Sequence, residues 1–306
     1  MSERTGKRVK VTQWSGGRFL TVLEALVARE DRSRHSKYPP EGVDANVPNI
    51  ARVYDAFLGG KDNFAADRRL VQSALRVTPD APIGGRANRA FLRRVVHYLV
   101  GEAGISQLLD IGSGLPAQGN VHEVAQEINR SVRTVYVDND PVVYIHGQAL
   151  LADARITEVV TADVRRPAEI LDHPTVRQFI DFSQPVGLLM LAILHHINDD
   201  EDPPGIVAAL RDAMPRGSYL AISSFRMPGP ELAGPRAKSM EMERLFNEQL
   251  GTGRWRSDEA ILGWFGDWEL IPPGLVPPWD WRPDEDADLP DESIYQAFVG
   301  GVARKT

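Results

Sequence analysis

The pattern of apolar positions divides the chain into two parts near residue 104. In the first part, Ile50, Val53, Tyr54, Phe57 and Leu58 recur at the i, i+3, i+4, i+7 and i+8 spacing of one helix face. In the second part, short apolar runs alternate with segments of helical spacing. This alternation predicts βαβ units with right-handed crossovers, and therefore a parallel sheet.

The predicted helices have recognisable ends. Gly59 and Gly60 end the helix that starts near Ile50, because glycine accepts the left-handed geometry that follows a helix. Asp62 is placed to cap a second helix that begins near Phe64. Further helices are predicted at residues 19–29, 86–100, 121–130, 142–151, 175–182, 206–214, 237–250 and 257–265. Seven strands are predicted, at residues 107–111, 134–137, 158–161, 186–192, 219–223, 268–271 and 294–302.

Three segments follow from this pattern. Residues 1–45 are a polar N-terminal extension, residues 46–103 a helical cap or lid, and residues 104–306 an α/β core domain. The proline-rich stretch between the last two strands predicts a loop, since proline is excluded from central strands.

Composition and charge narrow the class of protein. The chain has 306 residues, of which 42% are hydrophobic and 25% charged, as in ordinary globular proteins. A net charge of −7 argues against nucleic acid as a partner. The sequence contains no cysteine, which fits a cytoplasmic protein. No apolar run is long enough to span a membrane and no signal peptide is evident, so no membrane partner is expected.

The segment QLLDIGSGLPAQGN, residues 107–120, carries the sharpest local signal. Gly112 and Gly114 follow a buried strand directly, where open α/β sheets bind ligands. A dinucleotide site requires a third glycine sooner than Gly119 provides it. The carboxylate of Asp110 would repel a pyrophosphate, but it suits a ligand that carries an ammonium and a sulfonium. The pattern therefore favours S-adenosylmethionine over NAD.

Two more acids follow the next two strands. Asp138 ends the second strand, where its carboxylate can accept both ribose hydroxyls, and Asp163 ends the third, where it can accept from an adenine amine. Each acid alone is also typical of a turn or a helix cap. Their position at three successive strand ends favours a shared ligand-binding edge.

His195 and His196 follow the fourth strand and are predicted to border the reaction pocket. Adjacent histidines diverge on regular backbone, and no third ligand is suitably spaced, so no metal site is predicted. Either histidine could position a substrate or accept a proton, and hydrogen bonding to a loop carbonyl is an equal alternative. Weaker candidates for the acceptor side, which core packing would explain equally well, are Phe225, Arg226, Trp279 and Trp281.

Together, LLDIGSG, VYVDNDP, ADVRRP and LHHINDD resemble the successive motifs of class I S-adenosylmethionine-dependent methyltransferases. More narrowly, PNIARVYDAFLGGKDNFAADR, NRAFLRR and VGGVARK are similar to motifs of a bacterial S-adenosyl methyltransferase family, formerly a domain of unknown function. The resemblance runs from about Pro48 to the C-terminus. It implies a Rossmann-like seven-stranded sheet with helices on both faces and an N-terminal helical cap that folds over the cofactor.

The resemblance also implies a set of cofactor-binding residues. The matched motifs place Asp110, Gly112 and Gly114 in the glycine loop, Asp138 with Asn139 at the ribose, and Asp163 with Val164 at the adenine. The N-terminal motifs also match the family, but the match does not assign a role to each residue. The candidate cofactor-binding residues there are Arg52, Tyr54, Lys61, Asn63 and Arg89. Either Arg52 or Lys61 could meet the cofactor carboxylate, although these charges could equally cap helices and pair with each other.

The resulting prediction is an S-adenosylmethionine-dependent methyltransferase that transfers a methyl group to a small-molecule acceptor by in-line displacement. His195 and His196 are the predicted catalytic residues. One of them would act as the base if the acceptor enters the site in its protonated form. One alternative is a regulatory protein of the same fold that binds the cofactor without turnover. A nicotinamide-dependent dehydrogenase is a third hypothesis, which Asp110 and the late Gly119 disfavour.

Overall fold

Seven strands, six running in one direction and β7 in the opposite one, form a sheet in the computed structural model. It describes residues 43–117, 119–151, 156–283 and 292–306. The strand order is β3-β2-β1-β4-β5-β7-β6, and only the pairs that include β7 are antiparallel. The strands are β1 Gln107–Ile111, β2 Arg133–Asp138, β3 Thr157–Thr161, β4 Gly187–Leu191, β5 Tyr219–Phe225, β6 Glu269–Leu270 and β7 Phe298–Arg304.

Eleven α-helices lie within the described ranges. They are α1 Ile50–Phe57, α2 Ala65–Val77, α3 Ala81–His97, α4 Val121–Ile128, α5 Pro141–Leu150, α6 Pro167–Leu171, α7 Pro174–Phe179, α8 Pro203–Ala213, α9 Ala233–Leu250, α10 Asp258–Phe265 and α11 Glu292–Ala297. Of the described helices, none is both long enough and apolar enough to cross a membrane. The helix predicted at residues 19–29 falls outside the described residues.

Helices cover both faces of the sheet. Leu109 and Ile111 of β1 belong to a core cluster that includes side chains of α6, α7, α8 and α10. Leu108, one position away, belongs to a second cluster that includes side chains of α3 and α4. Successive strand side chains point to opposite faces, so β1 is buried on both.

A third apolar cluster lies outside the sheet core and joins α1 and α2 to α9. Val53, Leu70 and Ala74 pack there with Met242 and Phe246 of α9. We call α1 and α2 the lid. The lid is therefore held by its own apolar contacts, whereas α3 contributes to the core of the sheet.

The last strand was predicted with the wrong start. Residues 292–297 form α11, and β7 begins only at Phe298. A short apolar run does not by itself distinguish helix from strand. Gly300 of β7 is required by packing, because a Cβ at this position would lie 2.7 Å from Cζ of Phe91.

The predicted cap of the second helix was also wrong. The N-cap of α2 is Phe64, whose backbone N–H donates to Asp67 Oδ2 at 2.7 Å. Asp67 lies inside the helix, so it reaches back to the end from the third helical position. Asp62 instead donates its backbone N–H to the carboxylate of Asp55, within the turn that contains Gly59 and Gly60.

Candidate functional site

One large cavity opens at the carboxyl ends of β1, β2 and β4, between the sheet and the lid. The strand order reverses at β1, which pairs with β2 on one side and β4 on the other. Ligands of open α/β sheets bind in the crevice at such a point. The cavity and the solvent space at its open mouth together occupy about 1610 Å³. The described lining includes Tyr54, Asn88, Arg89, Asp110, Gly112, Gly114, Asp138, Asn139, His195 and His196.

The loop after β1 forms one wall through two glycines in left-handed conformations. Gly112 and Gly114 each have a φ of 69°. A Cβ on Gly112 would lie 2.5 Å from Cγ1 of Ile193, so only glycine fits there without a shift. A Cβ on Gly114 would meet no atom within 4 Å, because this residue faces open space. The loop therefore leaves its backbone accessible at Gly114.

Asp110 places a carboxyl group at the end of β1, buried in the cavity wall. Burial raises the pKa of this carboxyl to about 7, Arg89 opposes that shift, and the charge of Asp138 adds to it. The group is thus poised between its neutral and ionised forms near neutral pH. A bound cation would favour the ionised form.

Asp138 is fixed by the backbone at the end of β2. Its Oδ2 accepts from the N–H of Gly114 at 2.8 Å, and its Oδ1 accepts from the N–H of Asp140 at 2.9 Å. Burial raises its pKa, although these backbone hydrogen bonds partly oppose the shift. Each carboxylate oxygen keeps a lone pair for a further donor. The carboxylate is therefore both rigid and able to accept from a ligand.

Asp163 and Val164 do not line the cavity. Arg165 donates from Nε and Nη2 to the Asp163 carboxylate, with Nη2 at 2.7 Å from Oδ2. Burial alone would raise the pKa of Asp163, but the hydrogen bonds from Arg165 outweigh it and lower the pKa. Asn139, which does line the cavity, also contributes to the lowered pKa of Asp163. Val164 packs against the sheet core.

The N-terminal candidates separate into two groups. Tyr54 and Arg89 face the cavity, and Nη2 of Arg89 donates to the carbonyl of Gly119 at 2.9 Å. Arg52 is buried away from the cavity, because its Nε donates to Asp67 Oδ2 at 2.9 Å and its Nη2 donates to the carbonyl of Val47 at 2.7 Å. The geometry gives Arg52 a structural role instead of the predicted contact with the cofactor carboxylate.

Lys61 and Asn63 also lie outside the cavity lining. Lys61 is exposed in the loop between α1 and α2. Nδ2 of Asn63 donates to Asp55 Oδ2 at 2.8 Å and to the carbonyl of Gly60 at 3.1 Å. These bonds brace the turn between the two lid helices.

His195 and His196 border the cavity, on a short 3-10 turn after β4. Nδ1 of His195 accepts from the backbone N–H of Phe225 at 3.3 Å, which leaves the proton of the neutral ring on Nε2. Burial lowers the pKa of both imidazoles, that of His196 to about 3. A group whose pKa is lowered in this way is a weak proton acceptor, so burial argues against the predicted role as general base. No cluster that could hold a metal ion occurs among the described residues.

A match to a known family identifies the kind of protein to which this cavity belongs. The model of the S-adenosyl methyltransferase family matches residues 36–306. The chain belongs to the S-adenosyl methyltransferase family. It is therefore a methyltransferase that uses S-adenosylmethionine, and the predicted family, enzyme class and cofactor are confirmed.

Two solved structures are similar to this methyltransferase over nearly all of their own length. A protein described as a "putative methyltransferase" from Thermobifida fusca YX is 46% identical, with a TM-score of 0.82 over 89% of this chain and 100% of that one. A DUF574 family protein from Streptomyces avermitilis MA-4680 is 38% identical, with a TM-score of 0.81 over 86% of this chain and 99% of that one. No curated protein matches the chain. The likeness confirms the predicted seven-stranded α/β fold.

The cavity of the methyltransferase has the chemistry that its cofactor requires. Asp110 presents a buried carboxyl beside space where a cation could bind. Asp138 presents oxygens with lone pairs free for hydroxyl donors. The open face of Gly114 permits close approach to the backbone. These residues fit a sulfonium-bearing nucleoside.

Sequence reasoning missed Asn88, which links the lid to the sheet. Ser223 Oγ of β5 donates to Asn88 Oδ1 at 2.7 Å, and Asn88 Nδ2 donates to the Tyr54 hydroxyl at 3.1 Å. The Tyr54 hydroxyl in turn donates to the carbonyl of Gly85 at 3.1 Å. The only signal in the sequence was its place in NRAFLRR, beside Arg89. A buried asparagine with two side-chain partners fixes the cavity wall.

Proposed function

We propose that the half of the cavity at the ends of β1 and β2 holds S-adenosylmethionine, through Asp110, Gly112, Gly114, Asp138 and Asn139. The observation that carries this proposal is their convergence. All five residues come from successive strand ends and line the same wall of one cavity. In this proposal Asp138 accepts from the ribose hydroxyls, while Asp110 faces the positive charge of the methionine end.

Tyr54 and Arg89 extend the proposed cofactor site to the opposite wall. Arg89 is the cation whose charge reaches Asp110, so it sets the charge balance of that wall. Its guanidinium is also suited to a ligand carboxylate. Asp163 lies outside the cavity lining, and we propose that it acts at the adenine side by orienting the Asn139 amide.

The proposed reaction is an in-line displacement on a small-molecule acceptor. The cofactor supplies a methyl group already activated by the sulfonium. The acceptor atom forms its bond to the methyl carbon as the carbon–sulfur bond breaks, and the acceptor proton leaves to solvent. The protein contributes proximity, alignment and exclusion of water, which are worth up to about 7–11 kcal/mol in favourable cases.

His195 and His196 enter this proposal as groups that position the acceptor. Their lowered pKa values keep both rings neutral at neutral pH, so each can hydrogen bond but neither is a strong base. An acceptor that loses its proton readily, or one that reacts in its neutral form, fits this arrangement.

The division into an extension at residues 1–45, a helical cap segment at 46–103 and a core at 104–306 is also part of the proposal, with the cap segment folding over the cofactor. We further propose a bacterial, cytoplasmic enzyme that does not act on nucleic acid, from the motif resemblance, the absence of cysteine and the acidic charge.

The test is a calorimetric titration with S-adenosylmethionine. Asp138→Ala should weaken binding at least about tenfold, because hydrogen bonds to a charged group each contribute about 1.5–3 kcal/mol. Asp172→Asn is the matched control, since Asp172 lies on the surface with its side chain 75% exposed. Circular dichroism should show an unchanged fold for both variants.

Equal affinity of wild type and Asp138→Ala would refute the proposed cofactor site. Turnover is measured separately, as S-adenosylhomocysteine formed in mixtures of small acceptors. Tight binding without any product across broad mixtures would favour the regulatory alternative.

A further inference from the structure

The half of the cavity away from Asp110 and Asp138 has a different chemistry. It lies under the lid and against α9, where Phe57, Phe225, Met242, Phe246, Leu250 and Trp255 line it. We call this set the acceptor chamber. All six side chains belong to the apolar cluster that joins the lid to α9. The chamber and the acidic half are parts of one continuous cavity.

The wall of the chamber is a preformed stack of flat rings. The ring of Phe225 lies 3.7 Å from that of His195, tilted by 24°, and 4.2 Å from that of Trp255, tilted by 13°. Phe246 packs against Trp255 at 5.8 Å between ring centres. These rings hold one another in place, so the chamber keeps a rigid, planar boundary when it is empty. Rigid aromatic walls bind flat molecules at a low entropic cost.

The chamber offers little to a charged ligand. The carboxylates among the described lining residues are Asp110, Asp138 and Asp140, which all belong to the acidic half. Lys238 is the one cation on the chamber side among the described lining residues, and it already has a partner within the protein. Both histidines at the boundary are neutral near pH 7 because burial lowers their pKa values. Transfer of an unpaired charge into such a site is strongly unfavourable.

One polar group at the boundary lacks a partner. Nδ1 of His196 is buried and has no hydrogen bond to any described residue. Buried polar atoms are satisfied in most structures, and this unpaired atom belongs to a residue that lines the cavity, so it is the candidate for a hydrogen bond with a ligand. His196 borders the cavity where the chamber meets the acidic half.

We propose that the methyl acceptor is a planar, uncharged and largely apolar molecule with one hydrogen-bonding group, which binds in the acceptor chamber beside His196. The proposal rests on the proposed function, because it takes the acidic half of the cavity as the cofactor site. It adds the chemical class of the acceptor and names the residues that select it.

The test uses 2-naphthol as a probe on protein saturated with S-adenosylhomocysteine, so that the cofactor half is filled. Binding is followed by calorimetry, with 2-naphthoate and 2-naphthylmethylamine as charged probes of the same ring size. We expect 2-naphthol to bind at least about tenfold more tightly than either charged probe. Equal or tighter binding of a charged probe would overturn the proposal.

Two variants on the same helix locate the probe. Met242→Gln places an amide in the chamber and should weaken 2-naphthol binding about tenfold, since burial of an unpaired polar group is costly. Met240→Gln is the matched control on α9, because Met240 is 56% exposed and lies outside the cavity lining. If Met242→Gln unfolds, Leu250→Gln, at the half-buried end of α9, replaces it.

If Met242→Gln and the Met240→Gln control bind 2-naphthol equally tightly, the acceptor chamber is not the binding site of 2-naphthol. The affinity for S-adenosylhomocysteine shows whether the proposed acceptor class or the proposed cofactor site is wrong. If the wild-type protein does not bind S-adenosylhomocysteine, the proposed cofactor site is contradicted. Normal cofactor binding without 2-naphthol binding would contradict only the acceptor class.

Discussion

Asp110 carries the charge in the cavity that responds most to pH. Its pKa is about 7 in the folded protein, against an ordinary value of 3.8. The folded state therefore binds an extra proton between about pH 4 and pH 7. The contribution of Asp110 to the free energy of unfolding accordingly falls as pH rises through this window and stays low above it.

The same pKa predicts a pH-dependent affinity for the cofactor. Since the ionised carboxylate would stabilise a cationic ligand, S-adenosylmethionine should bind wild type about tenfold more weakly at pH 6 than at pH 8. Asp110→Asn removes the titrating group and should flatten this dependence. Calorimetry at the two pH values measures both proteins. An equally steep pH dependence in Asp110→Asn would assign the titration to another group.

The two glycines of the loop after β1 should respond differently to alanine. In Gly112→Ala the new Cβ would be 2.5 Å from Ile193, and the φ of 69° would be strained, so the free energy of unfolding should fall by about 2–5 kcal/mol. Gly114→Ala adds only the strain of its φ, about 1–2 kcal/mol. Urea denaturation measures both losses.

Cofactor titration provides the second readout for this pair. The Cβ of Gly114→Ala would project into open space at the cavity, where it should weaken S-adenosylmethionine binding while the protein stays folded. An order of stability opposite to the expected one would contradict the packing of Ile193 over Gly112.

At the scale of elements, one buried carboxylate joins the two helices of the lid. Asp67 of α2 accepts from the N–H of Asn49 before α1, from the N–H of Phe64 before its own helix, and from Nε of Arg52. It is fully buried. The GG-K-D-N turn that joins the two helices is braced separately, by Asp55. The polar residues of segment 49–68 thus fix the angle between the two lid helices.

Removal of the Asp67 charge should disrupt this corner. Asp67→Asn leaves the buried guanidinium of Arg52 without its counter-charge, and breaking such a pair costs about 3–5 kcal/mol. Urea denaturation measures the loss, and hydrogen exchange should show faster exchange in α1 and α2 than in β1. The exposed Asp172→Asn serves as the control, with an expected change within about 0.5 kcal/mol. A loss as small as that of the control would show that the pair is dispensable.

At the scale of the whole molecule, α3 binds the N-terminal helices to the sheet. Phe91 and Val95 of α3 belong to a core cluster with Leu108 of β1 and Val302 of β7. Phe91 also packs edge-on against Trp281, with 5.5 Å between ring centres. Residues 40–306 form one compact unit. The predicted boundary at residue 104 therefore divides sequence patterns that share a core.

This arrangement predicts the behaviour of truncated chains. A chain of residues 104–306 should not unfold cooperatively, because it lacks the large buried side chains of α3, each worth about 1.5–3 kcal/mol. A chain of residues 40–306 should retain a cooperative transition. Circular dichroism during thermal unfolding distinguishes the two, and a cooperative transition in the shorter chain would contradict the shared core.

The sequence by itself determined most of the fold and the acidic half of the cavity. Six of the seven strands were predicted close to their positions, because period-2 and period-3.6 patterns are local properties of the chain. Asp110, Gly112 and Asp138 meet at one edge because the carboxyl ends of parallel strands always do. Resemblance to family motifs identified the family and the cofactor.

Only the tertiary structure decided which charges face the cavity. Arg52 was a candidate for the cofactor until its pairing with Asp67 was visible, 15 residues along the chain. The acceptor chamber brings together Phe57, Met242 and Trp255, which are far apart in sequence. Contacts of this kind depend on how helices pack across long separations, and no local pattern records that. The chain encodes its own elements locally, whereas the surroundings of each side chain are set only when those elements pack.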